Sequence, residues 1–245
     1  MKKFHRYFLG LAVLLLSLPA CSQQDSADIA QAGAIGSAAV NPPNPNLHGS
    51  PDITRDACGR DLRHGDPLCL GVKYVAYESI AELPALSQEE ARTNLASINR
   101  LWEKCDIFFH LAEYQSVRPA DLGLNESPAE SIEMTEIRKV FEDDARLLIV
   151  TTEDGNRTGT LGATGANAWT AMPGSFPYGV VLEQSVGTFA NIIAHELGHY
   201  LGLDHSSDKT SLMSPLIYED SVSLTAADCA SARETIRDYW AQMLD

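Results

Sequence analysis

The chain has 245 residues, 44% of them hydrophobic and 21% charged, an ordinary balance for a globular protein. Its formal net charge is −15. A surface this acidic excludes nucleic acid and anionic lipid headgroups as charge-driven partners.

Lys2, Lys3 and Arg6 precede an apolar run from Tyr7 to Leu18. The run is too short to span a bilayer, so residues 1–20 read as a signal segment. It ends Leu18-Pro19-Ala20-Cys21, which resembles a bacterial lipoprotein signal with Cys21 as the lipidated residue. The expectation is an exported protein, lipid-anchored at Cys21 to a bacterial membrane, at the outer membrane or the cell surface. Residues 21–50 are rich in Ala, Gly, Ser, Gln, Asn and Pro and predict a flexible tether. Residues 51–70 predict a disulfide-stapled surface segment. Besides Cys21 the chain holds Cys58, Cys69, Cys105 and Cys229. In an oxidising compartment an even set reads as two disulfides, with three pairings open. The favoured one joins Cys58 to Cys69 as a local loop and Cys105 to Cys229 as a long-range staple.

One domain is expected over 71–245. Residues 71–77 alternate as a strand does. Ser87 and Glu90 form a capping box for a helix whose Ala91, Leu95, Ile98, Trp102 and Cys105 share a face. Residues 106–113 read as a second strand containing His110, taken as a strand histidine. A helix starting near Ser127 presents Ile132, Ile137, Val140 and Phe141 as its apolar side. Residues 146–151 form a third strand. Asp154 and nearby carbonyls could hold calcium, the plain alternative being a solvated turn. Another strand covers 178–183, and a helix runs from about 188 to 201, burying Phe189, Ile192, Ile193 and Leu197 with Ala194 at a close contact. Thr225 and Asp228 cap a last helix with Ala232, Ile236, Trp240 and Met243 facing inward.

The chemistry lies in the stretch from His195 to His205. His195 and His199 are four apart on a helix, so they stack on one face and both reach one metal ion at about 2.0–2.1 Å. Glu196 leaves the helix on a neighbouring side, where it can address a metal-held water as general base. Gly202 accepts the left-handed conformation that ends a helix, letting the chain double back and deliver His205 as third ligand. The fourth corner stays open, the mark of a catalytic zinc.

The pattern H-E-x-x-H-x-x-G-x-x-H, followed by Met213 within Ser211-Leu212-Met213-Ser214-Pro215, resembles the metzincin metallopeptidases, and matrixins in particular. The resemblance implies an α+β fold with an α/β-like N-terminal part. It implies a twisted mixed sheet of about five strands with one antiparallel edge strand, an active-site helix, a Met-turn and a C-terminal helix. Met213 would floor the three histidines. Asp154-Gly155 and Gly159-Thr160-Leu161-Gly162 are similar to the matrixin segment leading into the substrate-binding edge strand, which can take a peptide as an added strand. The matrixin structural-zinc histidine has no counterpart here: Ala163 and Thr164 stand in its neighbourhood. Pro215-Leu216-Ile217-Tyr218 is one residue longer than the matrixin Pro-x-Tyr. Cys58-Gly59-Arg60-Asp61 bears a faint similarity to the matrixin cysteine switch.

The expected function is zinc-dependent endopeptidase action on extracytoplasmic protein or peptide substrates by a monomer with one catalytic Zn2+. A catalytically silent zinc-binding surface module and a zinc amidohydrolase acting on a non-protein amide remain as alternatives.

Overall fold

A computed structural model describes residues 28–30, 58, 66–79, 83–155, 159–162 and 164–244. The signal segment, Cys21 and most of the 21–50 stretch lie outside the described residues. Among those described, no helix is long and apolar enough to cross a membrane. The elements are β1 (Asp28–Ala30), β2 (Leu68–Tyr77), α1 (Gln88–Trp102), β3 (Ile107–Val117), α2 (Ser131–Phe141) and β4 (Leu147–Thr152). They continue with α3 (Gly159–Gly162), β5 (Ala168–Thr170), β6 (Val180–Glu183), α4 (Gln184–Gly187), α5 (Ala190–Tyr200) and α6 (Ala226–Tyr239).

The sheet order is β1-β5-β6-β4-β2-β3. β3, β2, β4 and β6 run parallel to their neighbours, and β5 turns antiparallel to β6. This is the mixed α+β arrangement expected, with one strand more. The addition is β1, paired antiparallel along β5 from Asp28↔Thr170 to Ala30↔Ala168. A stretch expected to be tether throughout therefore contributes a strand, because main-chain pairing on a free edge needs no apolar side chain. β2 also begins at Leu68, inside the segment expected to lie on the surface.

Alternation along the strands divides the interior in two. Leu68, Leu70, Val72, Tyr74 and Ala76 face a core shared with α1, α5 and α6. Val75 and Tyr77 face a second core, with Leu148, Val150 and Val181, covered by Met134, Ile137 and Phe141 of α2. Here the expected helix face is corrected. Ile132 and Val140 are 62% and 47% exposed, and Met134 takes the inward place. The helix starts at Ser131 behind a capping box of Glu130 and Glu133, so the inward row is 134, 137 and 141, at helical spacing.

α1 braces both the sheet and the entry to α5. Its Ser87–Glu90 capping box forms as expected. The buried Asn99 side chain receives the Phe109 N–H and donates to the Phe109 carbonyl, locking α1 to β3. Asn94 Nδ2 donates to the Gly187 carbonyl, fixing the chain just before α5. Both expected disulfides are present. Cys105–Cys229 ties the turn after α1 to α6, whose own capping box is Thr225 and Asp228. Trp240 Nε1 then donates to the Tyr200 carbonyl and holds the far end of α5.

Candidate metal centre

Helix α5 carries His195, Glu196 and His199, all buried. Ile192, Ile193 and Leu197 are buried with them, and Ala194 is fully enclosed. Phe189 is not: it is the N-cap and 42% exposed, since the helix starts one residue later than its expected inward use requires.

The helix ends in a Schellman turn. The Leu203 N–H donates to the Gly198 carbonyl and the Gly202 N–H to the His199 carbonyl, with Gly202 at φ +81°. A Cβ on Gly202 would lie 2.7 Å from Thr235 Oγ1 on α6. Gly202 is thus needed both for its left-handed backbone and for the close approach of α6. Gly202→Ala is expected to cost roughly 2–4 kcal/mol of stability, combining left-handed strain with overpacking, as read by denaturant unfolding.

The turn brings His205 back to the helix. His199 Nε2 lies 3.0 Å from His195 Nε2 and 3.2 Å from His205 Nε2. All three rings therefore converge, as the spacing predicts. His195 Nδ1 is 2.7 Å from the Leu212 carbonyl and His199 Nδ1 is 2.7 Å from the Leu203 carbonyl. A carbonyl only accepts, so each Nδ1 carries the proton and each Nε2 presents a lone pair. Lone pairs this close repel unless a cation sits among them. A proton is disfavoured there: burial foremost, then His199 and His205, pull His195 down to about 3, against the Leu212 carbonyl, which raises it. The edge of a tetrahedron of nitrogens around zinc is about 3.3 Å, close to both separations. The donor set fits zinc.

Met213 is buried beneath the helix. A Cβ on Gly198 would collide with Met213 Sδ, so the thioether rests directly against the helix between the two histidine turns. The Ser206 N–H donates to the Met213 carbonyl at 2.7 Å and links the His205 loop to the Met-turn. Tyr218 is 41% exposed, with its carbonyl receiving Asn191 Nδ2 of α5.

Two residues of this neighbourhood carry no sequence motif. Thr170, the last residue of β5, donates from Oγ1 to Glu196 Oε2 at 2.5 Å. Arg138 of α2 donates to the Gly179 and Trp169 carbonyls. Burial pulls its guanidinium down to about 10, with the Glu196 charge acting in the opposite sense. An apolar–polar count cannot find either, since both act through partners far away in the sequence.

The calcium expectation is not supported. Asp154 Oδ1 accepts the Ser185 N–H of α4, and Asp154 belongs to neither convergent donor group among the described residues. Cys58 is bonded to Cys69, and the Gly59, Arg60 and Asp61 of the faint cysteine-switch similarity lie outside the described residues. His110 is on β3 as expected, but its Nδ1 lies 3.6 Å from Cys58 Sγ and 3.9 Å from Cys69 Sγ.

No curated protein matches the chain. Among solved structures, it is similar to the metalloproteinase-II from Bacteroides fragilis at 13% identity and a TM-score of 0.47, covering 71% of this chain and 55% of that one. It is also similar to a chain in a structure described as "Structure of a chaperone-substrate complex", at 12% identity and a TM-score of 0.47, covering 74% of this chain and 36% of that one. It thus spans less than two thirds of either. A family model described as Matrixin matches residues 72–235, from β2 into α6 and across all three histidines. On that sequence match, the chain belongs to the matrixin family.

Proposed function

We propose that this chain is a zinc-dependent endopeptidase, exported, lipid-anchored at Cys21 and acting as a monomer on extracytoplasmic protein substrates. The observation that carries the reading is the convergence of three Nε2 atoms, two of them turned inward as lone pairs by main-chain carbonyls, on the helix that also carries Glu196. When bound, zinc supplies an acidified water and a polarised carbonyl. His195, His199 and His205 would hold it. Glu196 accepts a proton at its carboxylate and returns it to the leaving amine. Thr170 orients that carboxylate through Oε2. The main chain of β5 supplies N–H and C=O groups to a substrate strand. Pairing of Asp28–Ala30 along that same edge supports this mode, because it shows the edge accepting an antiparallel strand. A peptide and Asp28–Ala30 cannot hold it together.

A peptide library incubated with the chain tests the reading by mass spectrometry. Internal cuts are expected, lost with a zinc chelator and regained on adding zinc. A zinc-loaded chain that leaves every peptide intact would sink it. Cleavage of small amides alone would then mark an amidohydrolase, and no cleavage at all a silent binding module.

A further inference from the structure

Cys58, Cys69 and His110 bring three soft-metal donors to one point, from three separate parts of the chain. Cys69 is the second residue of β2, His110 lies within β3, and Cys58 falls between β1 and β2 in the chain. Leu68 and Leu70, and Ile107 and Phe109, face the core containing α5. By alternation Cys69 and His110 lie on the opposite face of the sheet, so the cluster is separate from the centre on α5. Gly71 of β2 lies opposite His110, and even a Cβ there would meet His110 Cε1 only at an ordinary contact of 3.5 Å, so the ring is not crowded from β2.

We propose that these three residues form a redox-gated second metal site. As two thiolates and one imidazole they take one zinc-class cation, and as the Cys58–Cys69 disulfide they hold none. A disulfide is complete with two sulfurs and has no need of a ring nitrogen directed at both. A tetrahedral zinc with two thiolates and one imidazole has sulfur–nitrogen edges of about 3.6 Å and a sulfur–sulfur edge of about 3.8 Å. The sulfur–nitrogen separations here are 3.6 and 3.9 Å. Two of the three edges are therefore already set, and only the sulfur–sulfur edge has to open. Cys105–Cys229 belongs to no such donor group among the described residues.

The gate is thiol–disulfide exchange. A low-molecular-weight disulfide accepts two electrons from the two thiolates. The Cys58–Cys69 bond forms, the partner's sulfur–sulfur bond breaks to give two thiolates, and the cation leaves. In the other direction a dithiol reductant opens the bond, and metal binding displaces any protons left on the sulfurs. Loaded, the cation would pin the Cys58 segment to β2 and β3, the role the disulfide plays when oxidised.

Cobalt(II) is the probe, because thiolate ligation gives a charge-transfer absorbance that an all-histidine site lacks. The whole chain is compared oxidised and after anaerobic reduction with a phosphine. Reduction is expected to add one cobalt equivalent per chain together with the charge-transfer band. His110→Ala is expected to weaken that added equivalent at least tenfold and leave the other unchanged. The Cys105→Ser/Cys229→Ser variant, reduced alike, should keep the band. Unchanged stoichiometry and no band in the reduced wild type overturn the proposal without relying on any variant. Undiminished affinity in His110→Ala also overturns it, leaving a disulfide that merely packs on a histidine.

Discussion

Glu196→Gln should lower kcat/KM for peptide cleavage by roughly a thousandfold while zinc content stays unchanged, within the range of general acid–base contributions. The amide keeps the size of the carboxylate and can still receive the Thr170 hydroxyl at its oxygen. It cannot take a proton. The side chain is fully enclosed, so bulk water has poor access to replace the lost base. The proposed metal donors are three imidazoles, two of them oriented by main-chain carbonyls, and the substitution alters none of these groups. Zinc analysis and steady-state kinetics on one preparation separate the two effects. A variant that keeps both zinc and full turnover removes Glu196 from the chemistry. One that loses both makes it a structural residue.

Gly198→Ala is expected to weaken zinc affinity about 10–100-fold and to cost stability, by roughly 1–3 kcal/mol net. Alanine would gain about 1 kcal/mol in helix propensity. Overpacking wins, because the new methyl collides with Met213 Sδ and meets Met213 Cε at 3.0 Å, and that side chain is itself buried. Met213 cannot retreat without consequence. It adjoins Leu212, whose carbonyl holds His195, and its own carbonyl holds the His205 loop through Ser206. Chelator competition and thermal unfolding read the two losses. Shortening the floor in a Gly198→Ala/Met213→Ala double variant should give a smaller loss than the two single costs added. Wild-type affinity and melting in the single variant would show that Met213 moves aside freely.

Much of this was legible in the residues. The spacing of His195, His199, Gly202 and His205 foretells both the helix and the turn that closes on it, because each residue type meets a local geometric demand. The boxes Ser87–Glu90 and Thr225–Asp228 are local too, and both form. The errors sit where the outcome depends on distant chain. The helix after Ser127 has apolar residues on more than one side, so its inward row was settled only by the sheet it covers. Strand β3 runs to Val117, beyond the expected 113, because its pairing with β2 continues to Tyr77. Thr170 reaches Glu196, and Arg138 the Trp169 and Gly179 carbonyls, from parts of the chain distant in sequence. The pairing of Asp28–Ala30 is main-chain bonding, which side-chain composition does not advertise.

The acceptors that orient His195 and His199 are the peptide oxygens of Leu203 and Leu212, not side chains. Such a support cannot be deleted by any single codon change, because every amino acid supplies the same oxygen. Substitutions at 203 and 212 can act on the imidazoles only by bending the backbone. The neighbourhood of the metal is thereby free to drift in sequence while its tautomers stay put, and relatives with quite different side chains at these two positions should orient their imidazoles the same way.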